Sequence, residues 1–230
     1  MTRRRVFLVE DHPVFRRGLR EIIAQEEDLE VCGEADTVTK ASCAIARDQP
    51  DLVIVDICLQ ERSGLELIKE LRERHPKLVV LVVSMYDESL YAERALTAGA
   101  LGYVMKQEAP ESIVRAARSV LEGRPYLSQK LTAALIGRFV GAGTPQGPAP
   151  EASPHERLTS RELEVLQMIG QGLTTGEIAG RLAISVKTVG THREKLKEKL
   201  NLKTASELNR YATLWHNAGG ARPKADPSDR

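Results

Sequence analysis

Short hydrophobic runs alternate with amphipathic segments through the first half of the chain. Three of the runs are continuous and rich in Val, Ile and Leu, namely residues 6–9, 52–55 and 78–83. Continuous runs of this length are typical of strands buried on both faces of a parallel sheet. Weaker strand patterns occupy residues 29–35 and 102–105. Helical periodicity occupies the segments between and after them: 14–24, 38–47, 65–74, 90–98 and 113–121. The pattern predicts five βα units in a doubly wound parallel α/β sheet, with right-handed crossovers and strand order 2-1-3-4-5.

The pattern becomes purely helical after a break at residues 141–154, GAGTPQGPAPEASP, which has the composition of a flexible linker. Capping-box pairs predict three helix starts: Thr159 with Glu162, Thr174 with Glu177, and Thr204 with Glu207. Ser185 is a suitable N-cap for a further helix that runs to about Leu200. Four short helices predict a small all-α second domain.

These patterns divide the chain into four parts. We expect an α/β domain over residues 1–124, a connecting helix and flexible linker over 125–157, and an all-α domain over 158–216. The polar residues 217–230 predict a disordered tail.

Composition narrows the class of protein without identifying it. The chain has 230 residues and a net charge of +1, and it shows neither a signal-peptide pattern nor a hydrophobic run long enough to cross a membrane. Its three cysteines form no CxxC pair, which favours a reducing cytoplasmic setting. Residues 1–150 carry a net charge of −2 and residues 151–230 a net charge of +3. This difference permits a nucleic-acid partner for the second domain and does not prove one.

Charged and polar residues stand at the carboxyl ends of the predicted strands: Glu10 and Asp11, Asp56, Ser84, and Lys106. Ligands of open α/β sheets bind at this edge, at the point where the strand order reverses. Carboxylates from the first and third strands would converge there and repel one another unless a cation joins them, and Mg²⁺ suits such oxygen ligands. Asp56 could then accept a phosphoryl group whose charge Mg²⁺ and Lys106 neutralise. The alternative is that these side chains only solvate a sheet edge or cap helices.

The segments VEDHPVFRRGL, DLVIVDICLQERSGLELI, VVSMYDE and AGALGYVMK resemble the signature segments of response-regulator receiver domains, over about residues 4–122. The resemblance implies that Asp56 is the phosphoacceptor, with Glu10, Asp11 and the backbone carbonyl of Cys58 as further metal ligands. It also implies that Ser84 and Lys106 contact the phosphoryl group. Tyr103 matches the switch aromatic that reorients when Ser84 moves, although it could be a plain packing residue.

The second domain has the pattern of a helix-turn-helix. Ile178, Ala179 and Leu182 form an apolar face before a turn at Ala183–Ile184, and we expect Val186, Val189 and Leu196 on the inner face of the next helix. That helix is expected to enter a DNA major groove. Its candidate DNA contacts are Lys187, Thr188, Thr191, His192, Arg193, Lys195 and Lys199, with Lys197 partly outward. The alternative is a helical bundle with a solvated Lys/Glu face that binds no DNA.

The stretch LTSRELEVLQMIGQGLTTGEIAGRLAISVKTVGTHREKLKEKLNLKTASELNRYA resembles the LuxR-type DNA-binding domain of the NarL/FixJ family. Thr191 and Arg193 are the preferred base contacts, and Lys187 and Lys195 the preferred phosphate contacts. Gly176 and Gly190 stand at positions where many relatives carry a lysine. The DNA sequence that this domain would recognise is therefore not predicted. The resemblance also implies that the last helix, up to Trp215, forms a dimer interface, although Trp215 could equally pack at the helix end.

Together these features predict a cytoplasmic DNA-binding response regulator that a histidine kinase phosphorylates at Asp56 and that binds double-stranded DNA as a homodimer. It would not be an enzyme and would have no membrane partner. One rival is a phosphatase-type enzyme, which would want a carboxylate where Cys58 stands. The other rival is a DNA-binding or adaptor protein that is independent of phosphorylation and uses its first domain only to dimerise.

Overall fold

The computed structural model describes residues 3–59, 62–129, 131–133, 136 and 157–217. The chain divides into two compact units, residues 1–143 and 144–230. The predicted linker at 141–154 lies outside the described residues, as does the predicted tail apart from Asn217, which ends the last helix. No helix among the described residues is long and apolar enough to span a membrane.

The first unit is built on a five-stranded parallel sheet. Its strands are β1 (Arg4–Val9), β2 (Leu29–Ala35), β3 (Leu52–Val55), β4 (Val79–Ser84) and β5 (Gly102–Met105). Their order in the sheet is β2-β1-β3-β4-β5, as predicted. The predicted sheet topology is therefore confirmed, and β1 and β3 are hydrogen-bonded neighbours at its centre.

Five helices follow the strands: α1 (Pro13–Ala24), α2 (Val38–Asp48), α3 (Gly64–Arg74), α4 (Glu88–Ala98) and α5 (Pro110–Leu121). Alternate strand residues such as Val6, Leu8 and Ile54 form one core with α1 and α5. The residues between them, such as Phe7, Val9 and Val53, are also buried. Since successive strand side chains point to opposite faces, both faces of the sheet are covered, which explains the continuous hydrophobic runs.

The chain after α5 covers the free edge of β5. The Tyr103 amide donates to the Tyr126 carbonyl at 2.9 Å, and the Tyr126 amide donates to the Leu101 carbonyl at 3.2 Å. Beyond this bridge, residues 131–133 are helical and Leu131 is buried. The sequence pattern did not indicate the bridge, because a single paired residue has no periodicity.

The second unit consists of α6 (Ser160–Gly170), α7 (Thr175–Arg181), α8 (Val186–Leu200) and α9 (Ala205–Asn217). The capping boxes at Thr159 and Thr174 are both present, and Ser185 accepts the Thr188 amide at 3.0 Å. The box predicted at Thr204 is only half formed. The Thr204 hydroxyl accepts the Glu207 amide, but the Glu207 carboxylate accepts the amide of Lys203 instead of that of Thr204.

The core of the second unit joins all four helices, with Leu166, Ile178, Leu196 and Trp215 among its buried residues. Trp215 is 1% exposed, so its side chain packs inside this unit. At Gly170, an added Cβ would lie 2.5 Å from the Ala212 carbonyl oxygen, because α9 approaches α6 closely there.

The turn between α7 and α8 places Ala183 in the left-handed region, with φ of 49°. The expected inner position of Val186 is wrong: its side chain is 57% exposed at the start of α8. Val189 and Leu196 are buried as predicted. Val186 is the first residue of α8 and lies before its first buried side chain. Helical spacing alone therefore assigned Val186 to the wrong face of the helix.

Candidate functional site

Three carboxylates meet at the carboxyl ends of β1 and β3. Glu10 and Asp11 directly follow β1, and Asp56 directly follows β3. The Asp56 amide donates to the Val9 carbonyl at 2.9 Å, which continues the pairing of β1 and β3 and fixes Asp56 beside Glu10. Glu10 and Asp56 are 1% and 2% exposed. The sheet register thus brings together acidic residues that are 46 positions apart in the sequence.

Lys106 closes this pocket from the end of β5. Its ammonium lies 2.6 Å from Glu10 Oε2 and 2.8 Å from Asp56 Oδ2, and 4.5 Å from the centre of the Phe15 ring. Burial acts to lower the pKa of Lys106, but the negative charges of Asp56 and Glu10 outweigh it and leave the pKa raised. Lys106 is therefore held as a cation against the two buried carboxylates.

His12 also joins the acidic group, and the sequence reasoning missed it. Ligand atoms of Glu10, Asp11, His12 and Asp56 all lie within 4.8 Å of one another. His12 Nδ1 is 3.3 Å from Glu10 Oε1 and 2.8 Å from Asp11 Oδ1. The only sequence signal was its position next to Asp11.

The surroundings of Glu10 and Asp11 disfavour the negative charge of both carboxylates. Burial raises the pKa of both carboxyl groups, and the negative charge of Asp56 raises them further. Three carboxylates and one ammonium leave a formal charge of −2 when His12 is neutral. Mg²⁺ binds carboxylate oxygens at about 2.0–2.1 Å, so two of its ligands lie at most about 4.2 Å apart. The charge and donor type of this group fit one divalent cation, and because its ligand atoms lie within 4.8 Å of one another, a small inward movement would close them around the ion.

Hydrogen bonds from backbone amides hold the loop that follows Asp56. The Cys58 amide donates to Asp56 Oδ1 at 3.1 Å, and the Gly64 amide donates to the Ile57 carbonyl at 2.8 Å. A Cβ added at Gly64 would lie 2.0 Å from the Asp56 carbonyl oxygen. Gly64 is therefore needed for the start of α3 to approach the pocket, a requirement that only tertiary contact reveals.

Ser84 is the last residue of β4 and Tyr103 is the second residue of β5, and both are buried. The Ser84 hydroxyl accepts the Tyr86 amide at 3.3 Å, and Tyr103 Oη donates to the Tyr86 carbonyl at 2.8 Å. Burial raises the pKa of Tyr103 well above its ordinary value, so its hydroxyl stays protonated as a donor. Tyr103 thus points inward and holds the loop between β4 and α4.

Four of the candidate DNA-contact residues on α8 are exposed: Lys187, Thr188, Thr191 and Lys195. Thr188 Oγ1 lies 2.8 Å from Ser185 Oγ, and Thr191 Oγ1 donates to the Lys187 carbonyl at 3.2 Å. The exposed candidates lie in the first three turns of the helix.

The other three candidates on α8 are half-buried and face the unit's own helices. Arg193 donates to Asn209 Oδ1 of α9 at 2.9 Å, and Lys199 donates to Glu162 Oε2 of α6 at 2.7 Å. Burial lowers the pKa of His192, as does the positive charge of Arg161, so His192 is neutral at pH 7. Helical spacing could not show these partners, because α6 and α9 are distant in sequence.

Comparison with known protein families assigns both units. Residues 6–118 match the response regulator receiver domain, and residues 156–212 match the bacterial regulatory proteins of the luxR family. The buried acidic pocket lies in the first matched region and the helix-turn-helix in the second. The chain therefore belongs to the LuxR-type response regulators, the DNA-binding transcriptional regulators of two-component systems.

Individual proteins are similar to this chain over almost all of their own length. The chain is 34% identical over 209 residues to the oxygen regulatory protein NreC of Staphylococcus epidermidis, a match that covers 90% of this chain and 96% of the relative. Among solved structures, it resembles a LuxR-family two-component response regulator from Aurantimonas sp. SI85-9A1 (30% identity, TM-score 0.56, 60% of this chain and 99% of that chain). It also shares its fold with RcsB of Salmonella enterica serovar Typhimurium (24% identity, TM-score 0.58, 92% and 99%).

Proposed function

We propose that Asp56 accepts a phosphoryl group from a histidine of a sensor kinase, and that this modification controls DNA binding by the second unit. The observation that carries the proposal is the buried pocket in which Asp56 lies against Lys106 and beside Glu10. A carboxylate that only solvated a sheet edge would be exposed, whereas Asp56 is 2% exposed.

The chemistry is a transfer between two nucleophiles. A carboxylate oxygen of Asp56 forms a bond to phosphorus while the bond from phosphorus to the kinase imidazole nitrogen breaks, and that nitrogen takes up a proton. Lys106 stabilises the negative charge of the phosphoryl oxygens, because its ammonium already lies at the accepting carboxylate. Ser84 ends the adjacent strand and would donate its hydroxyl hydrogen to the same group.

Glu10, Asp11, Asp56 and the Cys58 carbonyl would hold Mg²⁺ in this proposal. The bound ion would supply positive charge at the phosphoryl oxygens during transfer. The other contacts in the pocket come from the protein itself. The Cys58 amide orients the Asp56 carboxylate, and the Lys106 ammonium balances the negative charge of Glu10.

Control of DNA binding is the second part of the proposal. Tyr103 and Ser84 both bond to backbone atoms of Tyr86, so a displacement of Ser84 towards a phosphoryl group would move the loop that Tyr103 holds. The phosphorylated protein would then bind two half-sites in cytoplasmic DNA as a homodimer, with Lys187, Thr188, Thr191 and Lys195 of α8 at the groove. This surface would include His192, Arg193 and Lys199 only through their backbone atoms, or through their side chains after these had lost their present contacts.

The phosphorylation step is tested by incubating the full chain with acetyl phosphate and Mg²⁺ and measuring its intact mass. We expect one added phosphoryl group on the wild type and none on Asp56→Asn. Asp36→Asn is the matched control, because Asp36 also directly follows a strand but pairs with Lys40 at 2.7 Å away from the pocket. Equal phosphorylation of Asp56→Asn and the wild type would refute the assignment of Asp56.

The regulatory step is tested by fluorescence anisotropy on labelled promoter DNA with the same proteins. We expect phosphorylation to strengthen binding by the wild type and by Asp36→Asn, and to leave Asp56→Asn unchanged. Equal DNA affinity of the three proteins under phosphorylating conditions would favour a regulator that does not depend on phosphorylation.

A further inference from the structure

The outward face of α8 carries carboxylates as well as cations. Lys187, Thr191, Glu194 and Glu198 are all exposed and are spaced four, three and four residues apart. This spacing places them in one stripe along the helix, opposite the buried Val189 and Leu196. Arg193 and Lys199 lie outside this stripe, at Asn209 and Glu162. The surface available to DNA is therefore less basic than the composition of α8 indicates.

Glu194 lies within reach of the base edges if α8 enters a major groove. It is seven residues from Lys187, about 10 Å along the helix axis, which is the length of about three base-pair steps. Its side chain is 68% exposed. A helical side chain leans towards the preceding turn, which for Glu194 contains Gly190. A Cβ at Gly190 would meet no atom within 4 Å, so no protein atom crowds that position on the preceding turn.

A carboxylate in a major groove needs a hydrogen-bond donor, because the phosphates and most base edges repel it. The donors there are the amino groups of cytosine and adenine. Adenine presents its N7 acceptor beside that amino group, which a carboxylate oxygen would face unfavourably, whereas the cytosine edge has no acceptor of its own. Cytosine is the base that Glu194 fits best.

We infer that Glu194 is a specificity-determining residue that accepts a hydrogen bond from a cytosine amino group in each half-site. The inference rests on the proposed function, since it requires α8 to enter the groove. Lys197, 19% exposed, holds the Glu194 carboxylate at 2.9 Å in the free protein. This pair lies within one helix and can open when the carboxylate meets a base, which leaves Lys197 free to approach a phosphate.

Glu194→Gln tests the inference, because glutamine has the same shape and can donate to N7 and accept from the amino group of adenine. The full-length protein, phosphorylated with acetyl phosphate, selects binding sites from a random DNA pool. We expect the wild type to enrich cytosine at one position of each half-site, and Glu194→Gln to enrich adenine there. In anisotropy titrations the wild type should prefer cytosine over adenine at that position by about tenfold, or about 1.4 kcal/mol.

Glu198→Gln is the matched control, because it makes the same change on the same stripe one turn nearer the end of α8. It should select the same base as the wild type. If Glu194→Gln and the wild type select the same base at every position, Glu194 does not read a base, while DNA binding by the domain stands. If the wild type enriches no sequence, both this inference and sequence-specific DNA binding fail.

Discussion

Lys199 is expected to stabilise the second unit rather than to bind DNA, and Lys199→Met tests this. Its ammonium donates to Glu162 Oε2 at 2.7 Å, and the Glu162 side chain is only 3% exposed. The same carboxylate oxygen accepts the Thr159 amide at 2.7 Å, which completes the cap of α6. The substitution keeps an unbranched side chain that is one atom shorter, and it removes the charge and the donors.

The expected loss in the free energy of unfolding is about 1.5 kcal/mol. A hydrogen bond between charged groups contributes about 1.5–3 kcal/mol. The lower end applies because the Lys199 side chain is 34% exposed and Glu162 keeps its bond to Thr159. For a domain of this size, 1 kcal/mol shifts Tm by about 4–8 °C, so Tm of the second unit should fall by about 9 °C.

Trp215 supplies the assay, since it is the only tryptophan of the chain and is buried in the second unit. Its fluorescence follows the unfolding of that unit in the full-length protein. Burial acts to raise the pKa of Glu162, but its bonds to Lys199 and Thr159 outweigh it and leave the pKa lowered. The stabilisation is therefore complete above the ordinary glutamate pKa of 4.5 and is lost as pH falls through the lowered value. The difference between wild type and Lys199→Met should be largest near pH 7 and shrink towards pH 4.

Lys187→Met is the control, because Lys187 is exposed on the outward face of α8. It should leave Tm within about 3 °C of the wild type and weaken DNA binding, since exposed substitutions usually change stability by less than about 0.5 kcal/mol. The reasoning is refuted if Lys199→Met unfolds at the wild-type temperature but binds DNA as weakly as Lys187→Met.

Four further outcomes are expected. Thr174→Ala should lower the stability of the second unit by about 1 kcal/mol, because it removes the hydroxyl that caps α7, and Trp215 fluorescence will show it. Gly64→Ala should destabilise the first unit by about 3 kcal/mol, because its Cβ would overlap a backbone oxygen at 2.0 Å, and circular dichroism on heating will measure the loss. Tyr103→Phe should cost about 1 kcal/mol in the same measurement, since a buried carbonyl loses its donor at 2.8 Å. Asp11→Asn should weaken Mg²⁺ binding in isothermal titration by at least about tenfold, and unchanged affinity would remove that carboxylate from the metal site.

Local patterns in the sequence predicted the elements of this protein well. The three continuous hydrophobic runs and the two weaker patterns became the five strands in the predicted order, because continuous apolar runs are typical of strands buried between two layers of helices. Thr159, Thr174 and Ser185 start the helices that they were predicted to start, since an N-cap bonds only to its own first turn. The gathering of Asp56 and Lys106 was also predictable, because parallel strands end at one edge of a sheet.

Only the tertiary structure decided what the long polar side chains do. Arg193 and Lys199 are basic residues of the helix that was predicted to bind DNA, yet each reaches a partner on another helix, and sequence periodicity carries no information about such partners. The close approaches at Gly64 and Gly170 depend likewise on residues that lie outside their own helices. The place of His12 beside the carboxylates depends on the exact course of the backbone. The sequence by itself determined the elements, their order and the residues at the strand ends, because these follow from short-range bonding and burial. The tertiary structure decided which polar side chains of α8 remain available to DNA, because the partners of Arg193 and Lys199 lie on other helices.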